Sequence, residues 1–203
     1  MRNTLIAIWC AAGAFMFASC GSGSGEETTT TADTTSTETA TVAGTDSTLT
    51  EDKQELMQFA ARNNMLQVEL GKLAAAQGTS DAVKTYGQNL VDWYTTKQEE
   101  LQELSQQYNV TLPQQLEDED NEHLTKLREA ENFNEEYWNR LTKAQQDAID
   151  EFDDGLKDVD ETDASAFSVW ARNTLKELRA QYEQAKGQEV ELKRRDTGLN
   201  LDN

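Results

Sequence analysis

One histidine, two cysteines and a surplus of carboxylates are the side chains here with the chemistry to hold a metal or attack a substrate. His123 follows Asp120 at the spacing that puts an acid and an imidazole on one side of a helix, which is half of a carboxylate-rich two-metal site. The other half needs a second imidazole, and His123 is the sole histidine. The same shortage removes a Ser-His-Asp relay, because His123 adjoins a polar run and no serine stands on a nucleophile turn. His123 therefore reads as an ordinary solvent-exposed side chain. The acidic runs Glu117–Glu122 (EDEDNE) and Asp147–Asp154 (DAIDEFDD) lack the loop spacing of an EF-hand, so weak divalent-cation binding at the surface is the most they allow. No glycine-rich loop suited to phosphates is present. Gly71 and Gly87 fall inside helical periods and read as points of close helix approach.

The cysteines belong to the first part of the chain. Cys10 lies in the apolar run Leu5–Phe17 (LIAIWCAAGAFMF), which follows Arg2. The run is too short to span a bilayer as a stable helix and suits the core of a signal peptide. It ends at Phe17-Ala18-Ser19-Cys20, which resembles a bacterial lipobox with Phe17 where leucine is commonest. Residues 1–19 are thus expected to be a lipoprotein signal peptide, with Cys20 the lipidated residue. Cys10 would be removed and Cys20 consumed by lipid, which leaves no disulfide and no thiol catalyst. Gly21 after the cysteine fits delivery to an outer membrane, by analogy with other lipoproteins. Residues 20–49 hold Gly, Ser, Thr and acids with almost nothing to bury, so they read as a disordered tether. Its typical span is roughly 30 Å.

Any remaining chemistry has to be positioned by residues 50–192, with 193–203 as a polar, frayed tail. The chain carries a formal net charge of −20. That repels nucleic acid and anionic lipid headgroups, so membrane contact is expected through the anchor on Cys20 alone. A single proline, Pro113, and abundant Glu, Gln, Lys, Leu and Ala favour helix. Thr50 caps a first helix that stops at Gly78. Thr79 or Ser80 caps a second, whose seam Val83, Gly87, Leu90, Tyr94, Lys97, Leu101, Leu104, Tyr108 alternates steps of four and three before Asn109. A turn at Val110–Pro113 and the polar run lead to a shorter helix facing inward through Leu124 and Leu127. Asn134 caps the third long helix, with a staple between Phe133 and Trp138. Its inward positions are Tyr137, Leu141, Ala144, Ala148, Phe152 and Leu156. Asp163 caps the last, which faces inward through Phe167, Trp170, Ala171, Leu175, Leu178, Tyr182 and Ala185. Short links between such helices predict an all-α, up-and-down four-helix bundle with an extra short helix. The tryptophans and tyrosines at helical spacing read as core.

The segments Phe59-Ala60-Ala61, Val68–Ala74 (VELGKLA), Val83-Lys84, Glu99-Glu100-Leu101 and Val110–Pro113 (VTLP), followed by Phe133, Tyr137, Phe152 and the Leu175/Leu178 pair, occur in an order that resembles a known family. It is a bacterial domain-of-unknown-function family of outer-membrane or periplasmic proteins with a ferritin-like four-helix fold. The resemblance covers roughly residues 52–190 and implies that fold here. Family members usually carry Asp-His in the second helix and single histidines in the third and fourth. The matching positions here are Trp93-Tyr94, Gln145 and Gln181. Asn134 stands for an Asp after Phe133, and Gln67 for the first Glu of Glu-x-Glu-Leu-Gly, whose second Glu is kept as Glu69. With every imidazole replaced, Glu69, Tyr94, Gln145 and Gln181 are expected to form a polar core network with no metal or other cofactor. The reading is a non-enzymatic, outer-membrane lipoprotein of the cell envelope, a structural or protein-interaction module whose partner is unidentified. The alternative is a ferritin-like metal-binding or metal-oxidising protein.

Overall fold

The computed structural model describes residues 48–196. Cys20, the signal peptide, nearly all of the tether and residues 197–203 lie outside the described residues. Within them every regular element is a helix: α1 (Glu51–Gln77), α2 (Asp81–Tyr108), α3 (Asp118–Arg128), α4 (Phe133–Leu156) and α5 (Ala166–Asp196). No helix among them is long and apolar enough to cross a membrane.

The helix limits follow from local chemistry, with exceptions set by distant partners. Thr50 is extended and its carbonyl accepts from Gln54, but its side chain makes no capping bond; the acids Glu51 and Asp52 meet the positive helix end instead. Leu49, at the end of the expected tether, is buried, so the folded part starts ahead of the helix. At α2 the choice falls on Ser80, whose hydroxyl accepts from Val83 N–H at 3.3 Å. Asn109 ends that helix at φ 53°, ψ 42°, the left-handed conformation its short side chain tolerates. The polar run at 118–122 is not a lead-in but the first turns of α3, with acids at its start and Lys126 and Arg128 at its end.

Four expectations for the later helices need correction. Asn134 is not the cap of α4, which begins one residue earlier at Phe133. Its amide instead donates to Thr79 Oγ1 at 2.7 Å and accepts from Thr79 N–H at 3.0 Å, pinning the α1–α2 turn to α4. Phe133 stacks on Tyr137, at 6.0 Å between ring centroids, and not on Trp138. Asp163 stands before the final cap: it accepts from Ser165 N–H at 2.8 Å, and Ser165 Oγ then accepts from Ser168 N–H at 3.4 Å. Asp163 also receives Lys53 Nζ from the start of α1 at 2.6 Å. Lys53 first, then the Ser165 amide and the Ser168 hydroxyl, hold its carboxyl well below the ordinary range. Finally, α5 continues through Asp196, into the segment expected to fray.

The pairings fix the topology. Gly71 meets Gly87, and Asn64 donates to Gln98, so α1 and α2 are antiparallel. Arg179 pairs with Asp153, and Thr142 donates to Glu189, so α4 and α5 are antiparallel too. Gly155 lies against Leu56 while Asn134 reaches Thr79, which sets α4 antiparallel to α1. Tyr86 reaches Gln181 and Trp170 reaches Glu100, closing the ring through α2 and α5. Hence α2 and α4 run in the same direction. The chain between them cannot be the short link of an up-and-down bundle: it returns along the bundle as a crossover and carries α3 over the α1–α4 seam. Gln58 to Thr111 and Arg62 to Glu117 mark its start on α1.

The core is apolar through most of its length, with Met57, Leu101, Leu127, Leu141, Phe152, Phe167 and Leu178 fully or almost fully buried. The α2 seam shifts by one residue near its end, burying Ser105 and leaving Leu104 half-buried. The tightest contact is between backbones. A Cβ on Gly71 would lie 2.6 Å from the Gly87 carbonyl, and one on Gly87 would lie 2.6 Å from both the Gly71 carbonyl and Ala74 Cβ. Gly187 on α5 has nothing within 4 Å of such a Cβ. Gly87→Ala should therefore lower stability by about 1–3 kcal/mol through overpacking. Gly187→Ala should raise it by up to about 1 kcal/mol through helix propensity. Thermal melts of both variants followed by circular dichroism check the opposite signs; equal effects would contradict the backbone contact.

Candidate functional site

At the centre of the bundle the apolar layers give way to uncharged polar side chains from all four long helices. Asn63 and Gln67 come from α1, one turn apart, and Gln67 Nε2 donates to Asn63 Oδ1 at 3.4 Å. Tyr86 and Tyr94 come from α2, Tyr137 and Gln145 from α4, and Gln181 from α5. Gln145 Nε2 donates to the Tyr86 hydroxyl at 3.4 Å, and that hydroxyl donates to the backbone carbonyl of Gln181 at 3.1 Å. Gln67, Tyr94, Tyr137 and Gln145 are each 0% exposed. Trp138 packs edge-on against Tyr86 at 5.0 Å and tilted against Tyr137 at 5.1 Å, closing one side.

The electrostatics are those of a neutral site. Burial drives the Tyr94 phenol far above its ordinary pKa, and the neighbouring Tyr86 adds to the shift. Gln145 and Asn63 face the phenol closely enough to oppose it in part. Neither closes a full hydrogen bond with the hydroxyl, which has no protein partner. Tyr137 is likewise raised by burial, then by Tyr86 and Tyr94. Tyr86 is raised by burial against the pull of Gln145. The Gln67 and Gln145 side-chain oxygens also lack protein partners.

Of the four residues expected here, Tyr94 and Gln145 do meet at the centre. Gln181 contributes its backbone carbonyl as an acceptor, and its side-chain oxygen is buried without a partner. Glu69 is elsewhere: it is half-exposed and paired with Lys72 at 2.7 Å on the outside of α1. Its place is taken by Gln67, two residues earlier and so on the other side of the helix. Asn63 and Tyr86 were missed, although Asn63, Gln67 and Leu70 stand at the four-and-three spacing of an inward stripe. Cys20 lies outside the described residues.

A second polar cluster clasps α2 to α5. Lys97, 9% exposed, sits in the apolar seam with Nζ 5.4 Å from the centre of a Trp93 ring. Burial opposes its charge, but Glu100 at 3.0 Å and Glu177 at 3.1 Å outweigh that and hold the ammonium above its ordinary pKa. Trp170 Nε1 donates to the same Glu100 oxygen at 2.9 Å.

The donor set at the centre does not fit a tight transition-metal site. Such sites use deprotonated carboxylates, thiolates or imidazoles. Here amides and protonated phenols occupy the interior. Among the described residues no three His, Cys, Asp or Glu side chains are grouped to hold a metal ion. His123 is half-buried at the crossover rather than fully exposed, next to Asp120 but with no second pair. In the acidic run on α4, Asp147 is taken by Lys143, Asp150 by Gln146 and Asp153 by Arg179.

An all-helical domain whose interior holds a neutral polar centre is thus the class that fold and site define. The chain belongs to the family described as domain of unknown function DUF4142, which matches residues 38–187. No curated protein matches the chain. No solved structure matches it either.

The three buried phenols give a test in solution. A tyrosine whose pKa is raised on folding stabilises the fold fully below its unfolded pKa of about 10, and that stability is lost as pH rises further. Absorbance titration near 295 nm should show Tyr86, Tyr94 and Tyr137, three of the five tyrosines, ionising only as helix signal is lost. Phenolate from more than two tyrosines in a chain that is still fully helical would contradict their burial.

Proposed function

We propose that this chain is an envelope lipoprotein anchored in the outer membrane through Cys20, and that its ferritin-like four-helix domain works as a structural or protein-interaction module, without enzymatic activity. The observation that carries the reading is the neutrality of the buried centre. Amides, and phenols held protonated by burial, supply neither a general base poised near neutral pH nor charge to balance a metal. The crossover between α2 and α4 supports the ferritin-like arrangement, since one long connection distinguishes it from a plain up-and-down bundle. The exterior suits a tethered domain: among the large apolar side chains only Val169 and Val190 are exposed in the described residues. Partner contacts should accordingly be polar. The metal-protein alternative shares the topology but lacks the donors.

The apolar run ending at Phe17-Ala18-Ser19-Cys20, followed by a tether, motivates the anchor. The wild-type chain should sediment with membranes and incorporate labelled fatty acid, and Cys20→Ser should do neither. A mature chain starting at another residue, with an unmodified Cys20 thiol, would overturn the anchor.

A further inference from the structure

The crossover leaves a cleft of about 440 Å³ between α1, α3 and α4, within the range of roughly 300–1,000 Å³ typical of small-molecule sites. Its walls are largely apolar: Phe59, Leu66 and Leu70 from α1, Leu124 from α3 and Ala144 from α4. Asn63, 7% exposed, links it to the polar centre.

The charges around this apolar surface are unevenly committed. Arg62 is held by Glu117 at 3.1 Å and Lys143 by Asp147 at 2.8 Å. Arg140, on α4, forms no ion pair within the described residues, and its Nε is buried without an acceptor. A buried guanidinium N–H left without a partner is costly, and a carboxylate is the group its geometry fits best. On the α3 side Asp120 also lacks an ion pair. Its carboxyl is raised by burial and by Glu117 and Glu119, only partly offset by His123 and a backbone hydrogen bond, so an added cation would relieve it. Arg140 and Asp120 form no ion pair with each other, and Glu119 adds negative charge to the cleft lining.

A simple anion would meet these acids, and a simple cation would meet Arg140. We propose that the cleft binds a small zwitterion with an apolar body, of the kind of a hydrophobic amino acid or dipeptide, its carboxylate on Arg140 and its ammonium on Asp120. The apolar body lies against Phe59, Leu66 and Leu124. Nothing in this assignment depends on membrane anchoring.

Calorimetric titration of the full chain with leucyl-phenylalanine, its C-terminal amide and its N-acetyl derivative tests the charges separately, with phenylalanine as a shorter probe. At least one zwitterion should bind saturably. Either blocked dipeptide should bind at least about tenfold more weakly, as loss of one charge-assisted hydrogen bond brings. Arg140→Gln should weaken the zwitterion by a similar factor and leave the amide unchanged; Asp120→Asn should weaken it and leave the acetyl form unchanged. Circular dichroism establishes that each variant is folded, and if one is not, the blocked dipeptides on the wild-type chain still decide. The proposal fails if neither zwitterion binds saturably, if the amide binds as well as the free dipeptide, or if folded Arg140→Gln binds unchanged.

Discussion

The contact between Gly71 and Gly87 sets the geometry on which the rest of the bundle depends. With no side chain on either residue, the backbones of α1 and α2 touch, and a methyl group on either would collide with the facing carbonyl. Close approach of one helix pair makes α1–α2 the tightest unit of the ring. The adjoining seam, α2–α5, is joined by polar devices: the Lys97 clasp and the Tyr86 hydroxyl on the Gln181 carbonyl. Packing is dense where α1 meets α2 and electrostatic where α2 meets α5, and the polar interior draws on all four long helices.

That interior is costly to bury. An amide or hydroxyl removed from water without a partner costs about 1–3 kcal/mol, and several such atoms converge here. What limits the cost is the absence of net charge: a buried carboxylate or ammonium would cost several times more. Lys97 shows the contrast. As a charged side chain in the seam, it is matched by two carboxylates and faces an aromatic ring. The same distinction separates the centre from the crossover cleft, where Arg140 and Asp120 stand without an ion pair among the described residues.

Much of the fold was legible because its signals are local. Ser80 marks a helix end through a bond three residues away and Asn109 through the left-handed backbone it tolerates. Gly78 ends α1 in an extended conformation open to any residue, where a side chain would collide with the Ala74 carbonyl and Val83. Asn134 and Asp163 were read as caps because their types suit caps; their partners Thr79 and Lys53 lie 55 and 110 residues away, beyond any local pattern. The crossover was hidden for a similar reason. Residues 109–132 have helix and turn signals, but which end of the bundle they reach depends on where α4 docks. At the centre, Tyr94 and Gln145 were found by position, whereas Glu69 misled because two residues along a helix turn a side chain by about 200°. The inward stripe through Asn63, Gln67 and Leu70 is the signal that points to the true α1 contribution, and it went unused.

The bundle interior is a neutral network whose amides and phenols do not make a tight transition-metal site. Elemental analysis of the gently purified protein, with native mass spectrometry for stoichiometry, tests it most directly. Iron, manganese and zinc are expected well below one per chain, with no change on Tyr94→Phe. One tightly held transition metal per chain, lost on Tyr94→Phe or Gln145→Ala while the helices remain folded, would contradict the claim.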